Sequence, residues 1–327
     1  MRAELQRHGP AYIALALALL LFPAVASDFF LTQIGGYSMI FGLMALSLMV
    51  LAGYGGMVSL AQITVAGVAG YDVAIFGANA TGIMGFGWPW WVVAPVAIAL
   101  AAIASALIGW IAVRTDGIYT IMITLAIATA TYYFTQQNAE LFNGHSGFSG
   151  LRAPEFWGVV WRDPKPFYYL CLGFAVLAYL AVLYTAQSTF GKTLQAIRDN
   201  PRRMRAIGYD VTAHKVFAWF LAGIIAGVAG VLLVWFNGRI SPGTIGVGAA
   251  INVLIIAVIG GLKHPIGPFI GALVVVLMQT FAIDIVGADR FNTLIGLVFL
   301  VIVFVSPDGF LGLWGRIKPH LVQQPLR

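Results

Sequence analysis

The sequence predicts an all-α polytopic membrane protein of about ten transmembrane or re-entrant helices. Three observations carry this prediction. Only 9% of the 327 residues are charged, whereas a soluble domain carries about 25%. Apolar runs of about 20 residues recur along the chain, each long enough to cross a bilayer as a helix. The short period-two alternation of a membrane β-barrel is missing. No charged, mixed-composition stretch is long enough for a soluble domain, so residues 1–327 read as a single membrane domain.

Taken in order, the spans fall at roughly 11–31, 34–53, 57–79, 91–113, 117–136, 167–187, 215–236, 246–262, 265–283 and 290–306. The first follows a basic head and ends in Ala-Val-Ala, which is also the form of a cleavable signal peptide. The second runs into Gly53-Tyr-Gly-Gly56. The fourth begins at Trp88, Trp90 and Trp91, which with Trp157 and Trp161 fit an interfacial aromatic belt. A loop at about 137–166, rich in Gly, Pro and Trp, precedes the sixth. The sixth holds Cys171, the lone cysteine, which excludes an internal disulfide. A basic loop at about 190–214 follows. Gly223 with Gly227, and Gly267 with Gly271, are spaced for close helix packing. GYGG at 53–56 and GGLKHPIGP at 260–268 interrupt apolar segments in both halves, and such pairs mark either tight packing or a substrate path.

Charge sets orientation. With the N-terminus inside, Arg2, Arg7, Arg114, Lys192, Arg198, Arg202, Arg203, Arg205, Lys215, Lys263, Arg316, Lys318 and Arg327 fall inside. Arg152, Arg162, Lys165, Arg239 and Arg290 fall outside. The positive-inside rule then places both termini in the cytoplasm. It also accounts for the net charge of +6 without a nucleic-acid partner.

Residues 190–205 contain Gly191-Lys192-Thr193, the tail of a phosphate-binding loop. Such a loop needs a glycine at its first position and a preceding strand. Ala186 and a membrane span stand there instead, so the chain does not itself hydrolyse ATP. The stretch reads better as a short amphipathic helix. Leu194, Ile197, Met204 and Ile207 are its apolar positions, Asp199, Asn200 and Pro201 divide it, and Gly208 closes it. It can lie in the membrane interface or dock on another protein.

The run from Ala196 through Arg198, Asp199, Asn200 and Gly208 to Lys215, Ala226, Gly227, Ala229 and Gly230 resembles the cytoplasmic coupling loop of LivM-type permeases, membrane subunits of ABC importers for branched-chain amino acids. Met204 replaces the family's usual alanine. Further landmarks follow the family's order: Gly53 to Gln62, Arg114 to Tyr119 with Ile123 to Leu125, an altered Asn143–Leu151, Ser241-Pro242, and Gly260-Gly261 with Gly267 to Ala272. The resemblance covers about residues 35–310.

The resemblance implies a LivM-type fold and a heterodimer with a second, LivH-type permease. It implies ABC ATPase subunits that bind ATP and Mg, a periplasmic substrate-binding protein, and a bacterial inner membrane. This chain holds no cofactor or metal and no catalytic residue. By carry-over, Ala196, Arg198, Asp199, Asn200, Arg202 and Gly208 couple to the ATPase. Arg198 pairs with ATPase acidic groups, and Gly208 leaves the helix at positive φ. The cargo is branched-chain or related amino acids; urea, short amides and small organic acids are alternatives within the family. The near absence of ionisable residues inside the spans argues against ion-coupled secondary transport or a stand-alone channel. No convergent acids or ligands support an intramembrane enzyme.

Ser59, Gln62, Thr64, Thr124, Gly260 and Gly261 are substrate-path candidates, with packing as the alternative. Asp72 is the acid at membrane depth; it meets a substrate ammonium, or it sits in water at the end of a short segment. His145, His214 and His264 read as solvated or helix-end residues without metal spacing. Asp284, Asp289 and Arg290 flank an external turn.

Overall fold

The computed structural model describes residues 17–81, 85–151, 153–156, 158–286, 288–306, 309–310 and 312. The first sixteen residues and the last fifteen, with their basic residues and the signal-peptide question, lie outside them, as do Arg152 and Trp157. The chain folds as α1 (17–25), α2 (Phe30–Tyr54), α3 (Gln62–Phe76), α4 (Trp90–Ala112), α5 (Ile118–Gln137), α6 (Ala139–Phe142), α7 (Pro164–Gln187), α8 (Thr189–Asp199), α9 (Pro201–Ala206), α10 (Val211–Asn237), α11 (Val247–Gly260), α12 (Gly267–Val286) and α13 (Ala288–Val305). Of these, α2, α4, α5, α7 and α10 are long and apolar enough to cross a membrane within the described residues.

The bundle has two chemically distinct ends. Lys192, Arg198, Arg202, Arg203, Arg205 and Lys215 gather at one, together with the α4–α5 turn, where Lys215 Nζ lies 3.6 Å from Asp116. Arg162, Lys165, Arg239 and the segment 138–163 lie at the other. Four two-residue strands are found here among the described residues: β1 (Phe148–Ser149), β2 (Glu155–Phe156), β3 (Val159–Val160) and β4 (Arg239–Ile240). β1 pairs antiparallel with β4, Phe148 facing Ile240, and β2 pairs with β3. Phe148 and Leu151 are buried, so this segment is a packed cap rather than a free loop.

α2 runs from the cap end to the basic end, finishing in a π-helical turn at Val50–Tyr54. Two amides, Gly55 N and Met57 N, both donate to Leu51 O, which closes the helix. The chain then turns back into the bundle as an irregular segment, 56–61, before α3 begins. Gln62 meets Ser47, about 10 Å up α2 from its end at about 1.5 Å per residue. The predicted full span 57–79 is therefore a half-helix that starts inside the protein. Within a membrane such irregular backbone persists only where protein covers it, and Leu60 and Ala61 are buried here.

The same construction recurs upside down. α10 runs from the basic end to the cap end, and residues 238–246 turn back inward through β4 and a 3-10 turn at Pro242–Ile245. α11 then returns to the basic end. The predicted span 246–262 is thus a second half-helix. Ile245 seats on Gly67, one and a half turns into α3, so the two half-helices overlap within the core. α2–α5 and α10–α13 form two inverted units, an arrangement recurrent in transporters.

The predicted pairing of glycine breaks changes accordingly. Gly53–Gly56 is a true break, but its counterpart is Gly238–Gly246. Residues 260–268 are a tight turn at the basic end, where Gly260 packs on Gly267 O and Gly271 N, and Gly53 packs beneath Leu262 O.

Small residues bring the helices together, because apolar surface gains little by leaving lipid and close backbone approach supplies the attraction. Gly223 faces Ala102 and Ser105, Gly227 faces Ile98 and Ala101, and Gly109 receives the Trp219 ring. Ser105 Oγ donates to Trp219 O across 2.7 Å. The packing reading of Gly223/Gly227 and Gly267/Gly271 holds.

Candidate functional site

The first candidate region is the basic-end hook, α8–α9. Ser188 breaks the chain from α7 at ψ 166° and its Oγ accepts from Gly191 N at 3.2 Å, capping α8. Asn200 separates the two short helices, with φ −155° and ψ 91°, and its Oδ1 accepts from Arg203 N at 3.0 Å. Pro201 starts α9 where no amide is needed. Gly208 ends it at φ +94°, as the resemblance implied, and Asp210 caps α10 through Ala213 N. Three buried side chains, Ile197, Met204 and Val211, give the hook its own small core, and Leu194 joins it to Leu51, Met57 and Trp219. Asn200→Ala is expected to cost about 1 kcal/mol locally, read as faster amide exchange in α9.

Arg202, Arg203, Arg205, Ile207 and Tyr209 point away from the bundle, with Ile207 63% exposed. Ile207 was predicted with the apolar face and departs from it, because α9 ends one residue earlier. Ala196 is half-buried against the hook core.

Arg198 makes contacts within its own chain. Its Nη1 donates to Gly53 O at 2.6 Å, and its Nε and Nη2 both reach Asp199 Oδ1, at 2.9 and 2.8 Å. Its stem lies over Gly56, where an added Cβ would stand 2.6 Å from Arg198 Cγ. Gly56 has φ +68°, a conformation glycine adopts without strain. Arg198 thus engages Nη1, Nε and Nη2 within the chain, while its side chain stays 39% exposed.

The second region is polar and lies where α3 begins. Ser47 Oγ donates to Gln62 Oε1 at 3.1 Å and to Met44 O at 2.6 Å. Leu60 N donates to Thr124 Oγ1 at 3.2 Å, and Ala61 N to Ser59 Oγ at 3.1 Å. Ser59 and Thr124 are fully buried, and Gln62 and Thr64 nearly so. Gln62 Nε2 and Thr64 Oγ1 have no hydrogen-bond partner among the described residues. The structure therefore brings Ser59, Gln62, Thr64 and Thr124 into one region and adds Ser47, which the sequence reading missed. Ser47 has no sequence signal beyond a hydroxyl in an apolar run.

The remaining candidates stand apart. Asp72 lies one turn from the far end of α3, about 15 Å along the helix from Gln62. It is half-buried, and its Oδ2 has no partner among the described residues. Gly260 and Gly261 belong to the basic-end turn. His214 sits in the first turn of α10 rather than at a helix C-terminus, with Nδ1 2.8 Å from Asp210 O. His145 Nδ1 lies 3.1 Å from Gln136 Nε2, and His264 Nδ1 accepts from Ile266 N. No group of metal-ligating side chains occurs among the described residues. The side chains of Asp284, Asp289 and Arg290 lie outside them.

Two inverted units, each broken by a re-entrant segment and joined through α7 and a basic hook, define a polytopic membrane permease. Residues 30–305 match the family model described as branched-chain amino acid transport system / permease component, and the chain belongs to that family. It is 24% identical to the high-affinity branched-chain amino acid transport system permease protein LivM of Escherichia coli K12, over 91% of this chain and 74% of that one. It is 31% identical to the probable branched-chain amino acid transport permease protein LivH of Methanocaldococcus jannaschii, over 44% of this chain and 49% of that one. The ribose import permease protein RbsC of Haemophilus influenzae is 22% identical, over 74% of this chain and 76% of that one. No solved structure matches the chain.

Proposed function

We propose that this chain is a transmembrane permease subunit of an ABC importer carrying branched-chain or related amino acids into the cytoplasm, energised by separate ATPase subunits that bind ATP and Mg. The observation that carries the reading is the hook. α8–α9 is capped at both ends, has its own core, and presents Arg202, Arg203, Arg205, Ile207 and Tyr209 outward. A rigid cationic and apolar surface of this kind suits an acidic, grooved partner. In this reading the basic end is cytoplasmic, the membrane is a bacterial inner membrane, and both termini lie inside. The cap end with β1–β4 meets a periplasmic binding protein. A LivH-type permease completes the pathway, and the Ser47–Ser59–Gln62–Thr64–Thr124 cluster lines it when open.

One observation favours a wider cargo range: the family also contains a relative named for ribose import. The alternatives are urea, short amides and small organic acids.

The test is purification from the native host in mild detergent, with mass spectrometry of co-eluting chains. Wild type is expected to bring an ATPase and a second permease. Arg202→Glu combined with Arg203→Glu is expected to lose the ATPase by at least about tenfold, about 1.4 kcal/mol or more, while keeping the second permease. A wild-type chain that elutes alone and transports without ATP overturns the importer reading.

A further inference from the structure

We infer that Arg198 is a positioning residue, an internal clasp that transmits movement of the α8–α9 hook to the re-entrant segment 55–61. The inference rests on the importer reading and changes the part Arg198 plays in it.

Four observations converge. First, the guanidinium joins two elements far apart in sequence: it sits on α8 and donates to Gly53 O at the end of α2. That carbonyl belongs to a helix C-terminus, which leaves acceptors unpaired and favours a cation. Second, Asp199 takes both remaining contacts on a single oxygen, Oδ1, and so holds the guanidinium in place. Third, the residues after Gly53 lead straight to the polar cluster: Leu60 N is held by Thr124 and Gln62 by Ser47. A displacement of Gly53 therefore reaches the start of α3 through the last residue of α2, the turn at Gly55 and the irregular segment 56–61, with no helix between Tyr54 and Gln62 to absorb it. Fourth, α8 has somewhere to go. Ser188 hinges it from α7, and a cavity of about 160 Å³ lies against it, lined by Val50, Tyr54, Val182, Phe190, Leu194 and Ile225. A close-packed contact would resist such a shift; here α8 borders open space.

The clasp divides labour within the hook. Arg202, Arg203 and Arg205 face outward, while Arg198 faces the chain's own break. Movement of the outer face then pulls or releases Gly53 O.

The experiment uses the whole complex purified from the native host, with Cys171→Ala and Val58→Cys carrying a nitroxide label in the re-entrant segment. Spectra are recorded with and without ATP and Mg, alongside ATP hydrolysis and co-purification. Arg198→Gln is expected to keep the ATPase subunit and to hydrolyse ATP within about twofold of wild type, yet to lose at least about 80% of the ATP-dependent spectral change. Arg198→Lys, which keeps the cation and the fold, is expected to retain about half of it. An unchanged ATP response in Arg198→Gln overturns the clasp. So does loss of the ATPase subunit from both Arg198→Gln and Arg198→Lys, which makes Arg198 a docking residue. A wild-type complex without any ATPase overturns the importer reading itself, and the clasp with it.

Discussion

Gly230→Val is expected to abolish the folded permease. Gly230 of α10 lies against the backbone of α3: an added Cβ would collide with Ala66 O and stand 2.7 Å from Ala66 C. Neither is the tip of a flexible side chain, so one helix must move. Four residues further along α3, Gly70 admits the side chains of Val234 from α10 and Ile240 from β4. Overpacking in such a seam costs about 3 kcal/mol or more, comparable to a large share of a domain's net stability. The measurement is recovery of monodisperse protein after detergent extraction, with the thermal midpoint of whatever survives. Gly230→Ala is expected to fall between the two. Full recovery of Gly230→Val would mean that α3 and α10 do not meet as described.

Thr124→Val is expected to weaken the protein and slow uptake while leaving packing volume unchanged. Thr124 Oγ1 accepts from Leu60 N and donates to Ile121 O, in a fully buried position. Valine keeps the shape and removes the acceptor, leaving a buried amide unpaired at a cost of about 1–3 kcal/mol. The local signature is faster hydrogen exchange in the peptide covering residues 56–61, and Thr124→Ser is expected to restore protection. Because Leu60 anchors the re-entrant segment, transport is expected to fall more than assembly with the ATPase. Equal exchange in Thr124→Val and wild type would remove Thr124 from the anchoring of the break.

The basic hook was legible because its signals are local. A hydroxyl cap at Ser188, an Asn-Pro step at 200–201 and a glycine at 208 each state a backbone geometry within a few residues of themselves. The spacing of Leu194, Ile197 and Met204 named its buried face for the same reason. The inward contact of Arg198 was not legible because an exposed-looking arginine on such a helix carries no mark of its partner, and Gly53 O is a backbone atom 145 residues away. The two half-helices were hidden differently. In a membrane protein a half-span and a full span are both apolar, so hydropathy registers α3 and α11 without reporting where each begins. The glycines and proline of Gly238–Gly246 were a readable signal, passed over in favour of the denser run at 260–268. That run turned out to serve a tight turn.

By itself, then, the sequence determined the solvent of this protein, its helical class, the sidedness of its charge, its family and the shape of its hook, since each follows from composition or from residues close together. Only the tertiary structure decided which break pairs with which, that Ser47, Ser59, Gln62, Thr64 and Thr124 form one cluster, that Asp72 stands apart from it, and that Arg198 faces inward. These depend on contacts between distant segments, and glycine-mediated approach of backbones sets those contacts through shape, which residue type alone does not encode.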